Sequence, residues 1–308
     1  MSKLRVSLAP HILTPKTTAS IMLDVIIALL PATIAGIIIF GLRALLVVCA
    51  TVAAAVLSEY LFCLITKREQ TVGDLSAVVT GLLLALNLPA NVPVWQAVIG
   101  AVFAIIAVKC LFGGIGQNFA NPAITARVFM LIAFTSLASA ANPTIVDTVA
   151  GATPLVELAN GKSVDLLDLF LGVRGGALGE TCTVALLAGG VYLVARRVIK
   201  VYTPVSMILT VFLLSLIAEG GNAVDALAWT ISGGLIIGAI FMATDYATTP
   251  TTPLGKIIFG VGAGAIIVLI RLYSKYPEGV SFAILLMNIL TPYIEKFTER
   301  KPFGGDVE

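Results

Sequence analysis

The chain has 308 residues, of which 58% are hydrophobic and only 12% are charged. About a quarter of the residues of a soluble globular domain are charged, so this composition cannot cover a globule of this size with polar surface. Soluble enzymes, disulfide-rich scaffolds and disordered chains are therefore excluded. The net charge of +2, from 19 basic and 17 acidic residues, is too balanced for a nucleic-acid-binding protein. The composition indicates a polytopic membrane protein whose outer surface faces membrane lipid, with no nucleic acid as partner.

Apolar runs of membrane-spanning length predict an all-α protein with about ten transmembrane helices. In chain order the runs are 21–41, 43–66, 73–89, 93–112, 122–138, 181–197, 203–219, 224–244, 254–272 and 279–297. The four cysteines lie far apart and match no metal-ligand spacing. No metal site is therefore predicted.

Basic residues collect at one set of helix ends, notably before residue 17 and at Arg196, Arg197 and Lys200. Because basic residues resist translocation, these ends are predicted to be cytoplasmic. An even number of spans then places both termini in the cytoplasm. The longest hydrophilic stretch, 139–180, is predicted to lie outside it.

Two apolar segments that each close with a proline predict an internal repeat. They are 81–93 and 238–250, which align from Gly81 on Gly238 to Pro93 on Pro250. Each belongs to the third of five predicted helices, and an odd number of helices gives the two halves opposite orientation. Inverted repeats of this kind bring interrupted helices to a polar site near the membrane midplane. The alternative is that two unrelated helix ends both use proline.

The predicted organisation is therefore a first repeat over 1–138, an extracytoplasmic loop over 139–180 and a second repeat over 181–308. Two inverted five-helix repeats resemble the urea-transporter fold.

Three carboxylates fall within or beside the apolar runs, at Asp24, Glu59 and Asp245. Ionisable groups inside a membrane are costly, so they are candidates for an ion pathway. Each also has a structural alternative. Asp24 can cap its helix or face a partner subunit, Glu59 can reach the interface, and Asp245 can cap a neighbouring helix.

The hydrophilic loop contains the stretch Asp147-Thr-Val-Ala-Gly-Ala-Thr-Pro154. Gly151 permits an unusual turn, and Pro154 favours an extended backbone at Thr153. A threonine hydroxyl is a weak nucleophile, and no His or Lys lies nearby in the sequence to activate it. Chemistry alone therefore favours a simple turn.

The pattern Asp-x-x-x-Gly-Ala-Thr resembles the flavinylation motif of membrane subunits in Rnf-type ion-translocating ferredoxin:NAD+ oxidoreductases and in the related sodium-pumping NADH:quinone reductases. Further stretches that resemble this family are 9–12, 21–32, 113–123 and 241–250. The resemblance implies FMN esterified through its phosphate to Thr153 by a separate flavin transferase, with Asp147, Gly151, Ala152 and Pro154 around it. This family usually has Ser or Thr where this chain has Ala150.

The resemblance also implies a function and partners. The chain would be a redox-carrier subunit, not catalytic alone, that relays electrons between ferredoxin and NAD+ coupled to Na+ or H+ transport. Its partners would be the other subunits of an Rnf complex (A, B, C, E and G), in a bacterial or archaeal cytoplasmic membrane. Asn118, Asn121 and Arg127 would help to hold a flavin or a subunit interface. Whether a second, non-covalent flavin such as riboflavin binds stays open.

A different class of protein stays open beside this one. A small-solute transporter or channel of urea-transporter-like fold needs no redox centre, and its interrupted helices would line a solute path. A third possibility is a scaffold that keeps the fold but has lost its flavin. A bound flavin distinguishes the redox subunit from both alternatives.

Overall fold

The computed structural model describes residues 16–134, 155, 158, 165–172, 176–180, 182–274 and 279–299, and all regular structure in these ranges is helical. The helices are α1 (Thr18–Phe40), α2 (Leu42–Thr66), α3 (Ser76–Leu86), α4 (Val94–Cys110), α5 (Pro122–Ala133), α6 (Leu166–Leu171), α7 (Thr183–Ala195), α8 (Tyr202–Ala218), α9 (Ala223–Ile231), α10 (Leu235–Met242), α11 (Pro253–Tyr273) and α12 (Val280–Thr298). A 3-10 turn, Val72–Asp74, precedes α3. The last part of α4 and of α10 is π-helical, over Phe103–Cys110 and Gly238–Met242.

Four of these helices, α1, α2, α11 and α12, are long and apolar enough to cross a membrane. The pair α9 and α10, bent by 65° at a short break, makes a fifth candidate span. The apolar helices α3, α4, α5, α7 and α8 are shorter. The chain is thus a multi-pass, all-helical membrane protein in the part that the structure describes.

Every apolar run predicted from the sequence contains helix, but the run 224–244 is not continuous. It breaks at Ser232-Gly233-Gly234, where Gly233 has a φ of +69°. Arg271 of α11 donates to the carbonyl oxygens of Trp229 and Ser232, at 2.5 and 2.9 Å. These carbonyls belong to the C-terminal end of α9, where intrahelical donors are missing. The break is therefore stabilised by a cation from another helix.

The helix starts follow local capping chemistry. The Thr17 hydroxyl accepts a hydrogen bond from the Ser20 amide at the start of α1. Asn121 caps α5 and Thr252 caps α11, and a proline occupies the first position of each helix. A proline there loses no hydrogen bond, since that amide has no intrahelical acceptor.

On α1, small residues lie on the buried face and several large apolar side chains are exposed, which suits a helix with one face towards lipid. The α1 helix buries Ala28, Ala32 and Gly36 but exposes Ile34 and Ile38. It packs on α7, while α2 packs on α3 and α4, and α11 packs on α8 and α12.

The segment before α7 contacts the end of α3. The amides of Leu178 and Gly179 donate to the carbonyl oxygens of Leu88 and Leu86, at 3.0 and 2.7 Å. These hydrogen bonds hold residues 178 and 179 against the end of α3.

Candidate functional site

The C-terminal ends of α3 and α10 meet inside the bundle. The Asn87 amide donates to the Leu83 carbonyl at 2.7 Å and contacts the Met242 sulfur at 3.6 Å. Thr244 makes the same type of bond to the Ile240 carbonyl, at 2.6 Å. Asn87 and Met242 are both buried. Two helix ends, each with a polar side chain bonded four residues back, thus face each other in the interior.

Polar side chains from two further helices surround this meeting point. Asn121 donates through Nδ2 to the Met242 carbonyl at 3.4 Å and caps α5 through Oδ1. Asn288 of α12 satisfies both of its side-chain amide atoms in one orientation. Its oxygen then accepts from the backbone N–H of Asn121 at 3.1 Å, and its nitrogen donates to the Thr248 carbonyl at 3.2 Å. Thr291 donates to the same carbonyl at 2.9 Å. The network ties α5, α10 and α12 together.

A pocket of about 100 Å³ opens beside the network. Apolar side chains from α1, α3, α7 and α10 form most of its walls, and polar groups come from Lys109, Asn118, Asn121 and Asp245. The half-buried Asp245 carboxylate accepts from the Ala247 amide and the Thr248 hydroxyl, both at 3.3 Å. Asn118 donates to the Ala120 carbonyl at 2.9 Å. Apolar walls with a few placed polar groups are typical of a small-molecule site.

A buried ion pair borders this pocket. Lys109, near the end of α4, lies 2.7 Å from a Glu59 carboxylate oxygen, and the two residues are only 3% and 1% exposed. Thr71 donates to the same oxygen at 2.6 Å, and Lys109 also contacts the Ser76 hydroxyl. The second carboxylate oxygen, Oε2, has no hydrogen-bond partner among the described residues. Desolvation makes such a pair costly unless both charges stay paired.

The third carboxylate, Asp24, joins α1 to the end of α7. It accepts from the Tyr192 hydroxyl at 3.0 Å and from Arg196 Nε at 3.2 Å. The hydrogen bond and the charge of Asp24 raise the pKa of the Arg196 guanidinium, which lies just beyond α7. Asp24 therefore has partners within the chain.

The structure brings together three of the candidate site residues, Asn118, Asn121 and Asp245, around one pocket. Glu59 reaches this pocket through Lys109. Arg127 is buried on α5 but is not among the pocket-lining residues. The candidate residues of the loop, which are Asp147, Gly151, Ala152, Thr153 and Pro154, lie outside the described residues.

Sequence reasoning did not single out Lys109, Asn87 or Arg271 as site residues. A lysine inside the apolar run 93–112 is itself a signal, because a buried cation needs an acidic partner, and Glu59 lies in another run. Arg271 gives the same signal in 254–272. The sequence alone does not reveal which carbonyls or carboxylates these cations reach.

A bent helix pair and short helices that meet at a buried polar network, beside a pocket, are features of polytopic membrane proteins, among them secondary transporters. Comparison with known proteins specifies the family. The chain belongs to the NQR2, RnfD, RnfE family, whose model matches residues 5–304.

Curated relatives match over nearly the full chain. The chain is 47% identical to the D subunit of the Na+-translocating ferredoxin:NAD+ oxidoreductase complex of Acetobacterium woodii, over 98% of this chain and 95% of the relative. It is 40% identical to the D subunit of the proton-translocating ferredoxin:NAD+ oxidoreductase complex of Clostridium ljungdahlii, over 97% and 96%. It is 39% identical to the D subunit of the ion-translocating oxidoreductase complex of Stutzerimonas stutzeri, over 92% and 91%.

Proposed function

We propose that this chain is the D subunit of an Rnf-type ion-translocating ferredoxin:NAD+ oxidoreductase in a bacterial or archaeal cytoplasmic membrane. The observation that carries the proposal is the family match over residues 5–304, together with full-length relatives that bear this name. The chain acts as one electron-carrier subunit and depends on the A, B, C, E and G subunits for the complete reaction.

The proposed carrier is FMN, held by a phosphoester to Thr153. Its isoalloxazine ring accepts one or two electrons, and the protein sets its position and surroundings. Two described residues just after Thr153 support a fixed position for the flavin. Leu155 and Leu158 are only 2% and 7% exposed, so the chain next to the anchor is packed. Thr153 serves as an anchor, and a flavin transferase is the partner required for attachment.

The pocket at Asn118, Asn121 and Asp245 is the proposed site of a second, non-covalent flavin such as riboflavin. At about 100 Å³ the pocket is smaller than typical ligand sites of ~300–1,000 Å³, so it would hold one edge of the flavin, with its amides and carboxylate facing the polar edge or the ribityl hydroxyls. Arg127 is proposed to support this region from α5.

The ion pathway is a separate proposal. Glu59 and Asp24 are paired with Lys109 and Arg196, whereas no described cation pairs with the Asp245 carboxylate. Of the three, Asp245 is therefore the best placed to meet a mobile cation. If the complex still pumps Na+ or H+ after Asp245→Asn combined with Glu59→Gln, these carboxylates are not part of the path.

We further propose the inverted repeat and its ten spans as the architecture of this subunit. A shift of 157 residues, which superimposes Gly81 on Gly238, also brings α3 onto α10, α4 onto the start of α11, and α5 onto the start of α12. The same shift relates the Asn87–Leu83 bond to the Thr244–Ile240 bond. In this arrangement both termini are cytoplasmic and the flavin loop is extracytoplasmic.

Covalent flavin is tested by co-expressing the chain with a flavin transferase and reading ultraviolet fluorescence after denaturing electrophoresis. We expect a fluorescent band for the parent and for Thr148→Ala, a matched threonine in the same loop. Thr153→Ala should give a dark band. Fluorescence that survives in Thr153→Ala would contradict this anchor. If the parent is dark and Ala150→Ser is fluorescent, Ala150 is what prevents recognition by the transferase.

The second flavin is tested by filling the pocket. Thr80 lines it, and its hydroxyl bonds back to the Ser76 carbonyl. Thr66 makes the same type of bond on an exposed surface, so Thr66→Phe is the matched control for Thr80→Phe. Denaturation releases only non-covalent flavin. We expect Thr80→Phe to release none and to keep its covalent flavin. Equal release from both variants would exclude this pocket.

A further inference from the structure

A second hydrophobic cluster, separate from the main core, lies at the break between α9 and α10. Its members are Leu155, Leu158, Leu169 of α6, and Ala228, Trp229 and Ile231 of α9. Leu155 and Leu158 are three residues apart, a spacing that places helical side chains on one face. Leu155 and Leu158, two described residues that follow Thr153 in the sequence, are therefore packed against α9.

Gly233 makes room for this contact. A Cβ atom on Gly233 would lie 2.7 Å from Leu155 Cδ1 and 3.2 Å from the Nη2 atom of Arg271. A contact below 3.0 Å requires one partner to shift, and the partner that can shift most easily here is the end of the Leu155 side chain. Leu155 and Arg271 thus occupy the space that any other residue at position 233 would fill.

Three hydrogen bonds hold the residues around this cluster in place. Trp229 donates from its indole nitrogen to a Glu219 carboxylate oxygen at 2.8 Å. Its carbonyl accepts from Arg271, which also holds the Ser232 carbonyl. Arg271 is only 5% exposed, so these charge-assisted bonds form in a shielded environment. The residues at the break are thus held by hydrogen bonds, and Leu155 packs against them.

We propose that this break, formed by Trp229, Gly233 and Arg271, is a docking site for the segment after Thr153. Gly233 and Arg271 are then positioning residues for the group attached at Thr153. The effect of this docking on the flavin rests on the proposed covalent attachment at Thr153. The docking of Leu155 itself can be measured without a flavin. Two residues of chain span at most about 7 Å, so a docked Leu155 restricts how far the flavin moves. Restricted movement keeps an electron carrier at a set distance from the next one.

The first test compares two glycines with similar backbone but different surroundings. Gly233 has a φ of +69° and contacts Leu155, whereas Gly220 has a φ of +63° and no atom within 4 Å of its Cβ position. Gly233→Ala and Gly220→Ala therefore carry the same type of backbone strain, and only Gly233→Ala obstructs the dock. Both are made in the full chain, co-expressed with the transferase.

The readout is iodide quenching of the covalent flavin, after subtraction of the signal from Thr153→Ala. We expect the quenching constant to rise several-fold in Gly233→Ala, with lower fluorescence anisotropy, and to match the parent in Gly220→Ala. Equal quenching in all three proteins, each with covalent flavin, would overturn the docking site. A parent without covalent flavin would instead refute the proposed function.

A second readout does not need the flavin. Leu155→Cys is labelled with a maleimide, and modification of the peptide that contains the introduced cysteine is followed by mass spectrometry. We expect slow labelling of Leu155→Cys and labelling several-fold faster of Leu167→Cys, the control on α6, because Leu155 is 2% exposed and Leu167 is 68% exposed. Fast labelling of Leu155→Cys would overturn the inference.

If Gly233→Ala aggregates, Leu155→Ala replaces it in the quenching test. Its matched control is Leu167→Ala, because Leu167 lies on α6 and is 68% exposed. A rise in quenching for Leu155→Ala alone supports the dock, and equal values for both variants overturn it.

Discussion

At the scale of single residues, two of the three carboxylates in the apolar runs have a basic partner within the chain. Lys109 and Glu59 neutralise each other at 2.7 Å, and Asp24 holds Arg196 at 3.2 Å. A buried ion pair is worth little in net stability, but breaking it leaves an uncompensated charge. These pairs therefore constrain the sequence strongly.

Lys109→Met tests this constraint. We expect it to cost about 3–5 kcal/mol, the typical penalty of an unpaired buried charge, and to lower the unfolding temperature in detergent. The double variant Lys109→Met with Glu59→Gln should recover much of the loss. Lys200→Met is the control, since Lys200 is exposed. A double variant as unstable as Lys109→Met would contradict this explanation.

At the scale of helices, glycine sets how closely neighbours pack. A Cβ on Gly189 of α7 would lie 2.2 Å from the Ala28 carbonyl oxygen of α1. Gly189 is buried, and α1 and α7 are packed along each other. Without a strong hydrophobic force between helices in lipid, such close packing supplies much of the association energy.

We expect Gly189→Ala to push α1 and α7 apart and to destabilise the protein by about 1–3 kcal/mol through overpacking. Alanine has a higher helix propensity than glycine, but this small stabilisation is outweighed by the overpacking. Gly73→Ala is the control, because no atom lies within 4 Å of its Cβ position. Thermal unfolding in detergent measures both, and equal unfolding temperatures would contradict the packing argument.

At the scale of the whole molecule, the arrangement of charge along the chain predicts one orientation in the membrane. The basic group Arg196, Arg197 and Lys200 follows α7, and the hydrophilic stretch 139–180 precedes it. A single helix separates the two, so they lie on opposite sides of the membrane if α7 spans it.

Reporter fusions measure this orientation. We expect a green fluorescent protein at the C-terminus to fluoresce, because it folds in the cytoplasm, and alkaline phosphatase inserted after Lys162 to be active outside it. Phosphatase moved to Arg197 should be inactive and serves as the control. Active phosphatase at both positions would contradict the predicted topology.

Much of the helical framework is predictable from the sequence. Apolar runs such as 43–66 and 254–272 coincide with α2 and α11 to within a residue or so. Lipid requires each spanning segment to satisfy its own backbone hydrogen bonds, so a long apolar run has little choice but helix. The break at 232–234 was not predicted, because Arg271, which stabilises it, is far away in the sequence.

The sequence by itself determined the class of protein, the helices and, through resemblance, the family that the comparisons confirm. These follow from composition, hydropathy and local motifs, which need no knowledge of distant contacts. Only the tertiary structure decided that Asn118, Asn121 and Asp245 share a pocket, that Lys109 pairs with Glu59, and that Leu155 packs at Gly233. The partners in each case come from different helices, and a buried charge or cavity is satisfied by whichever side chains the packed bundle brings near it.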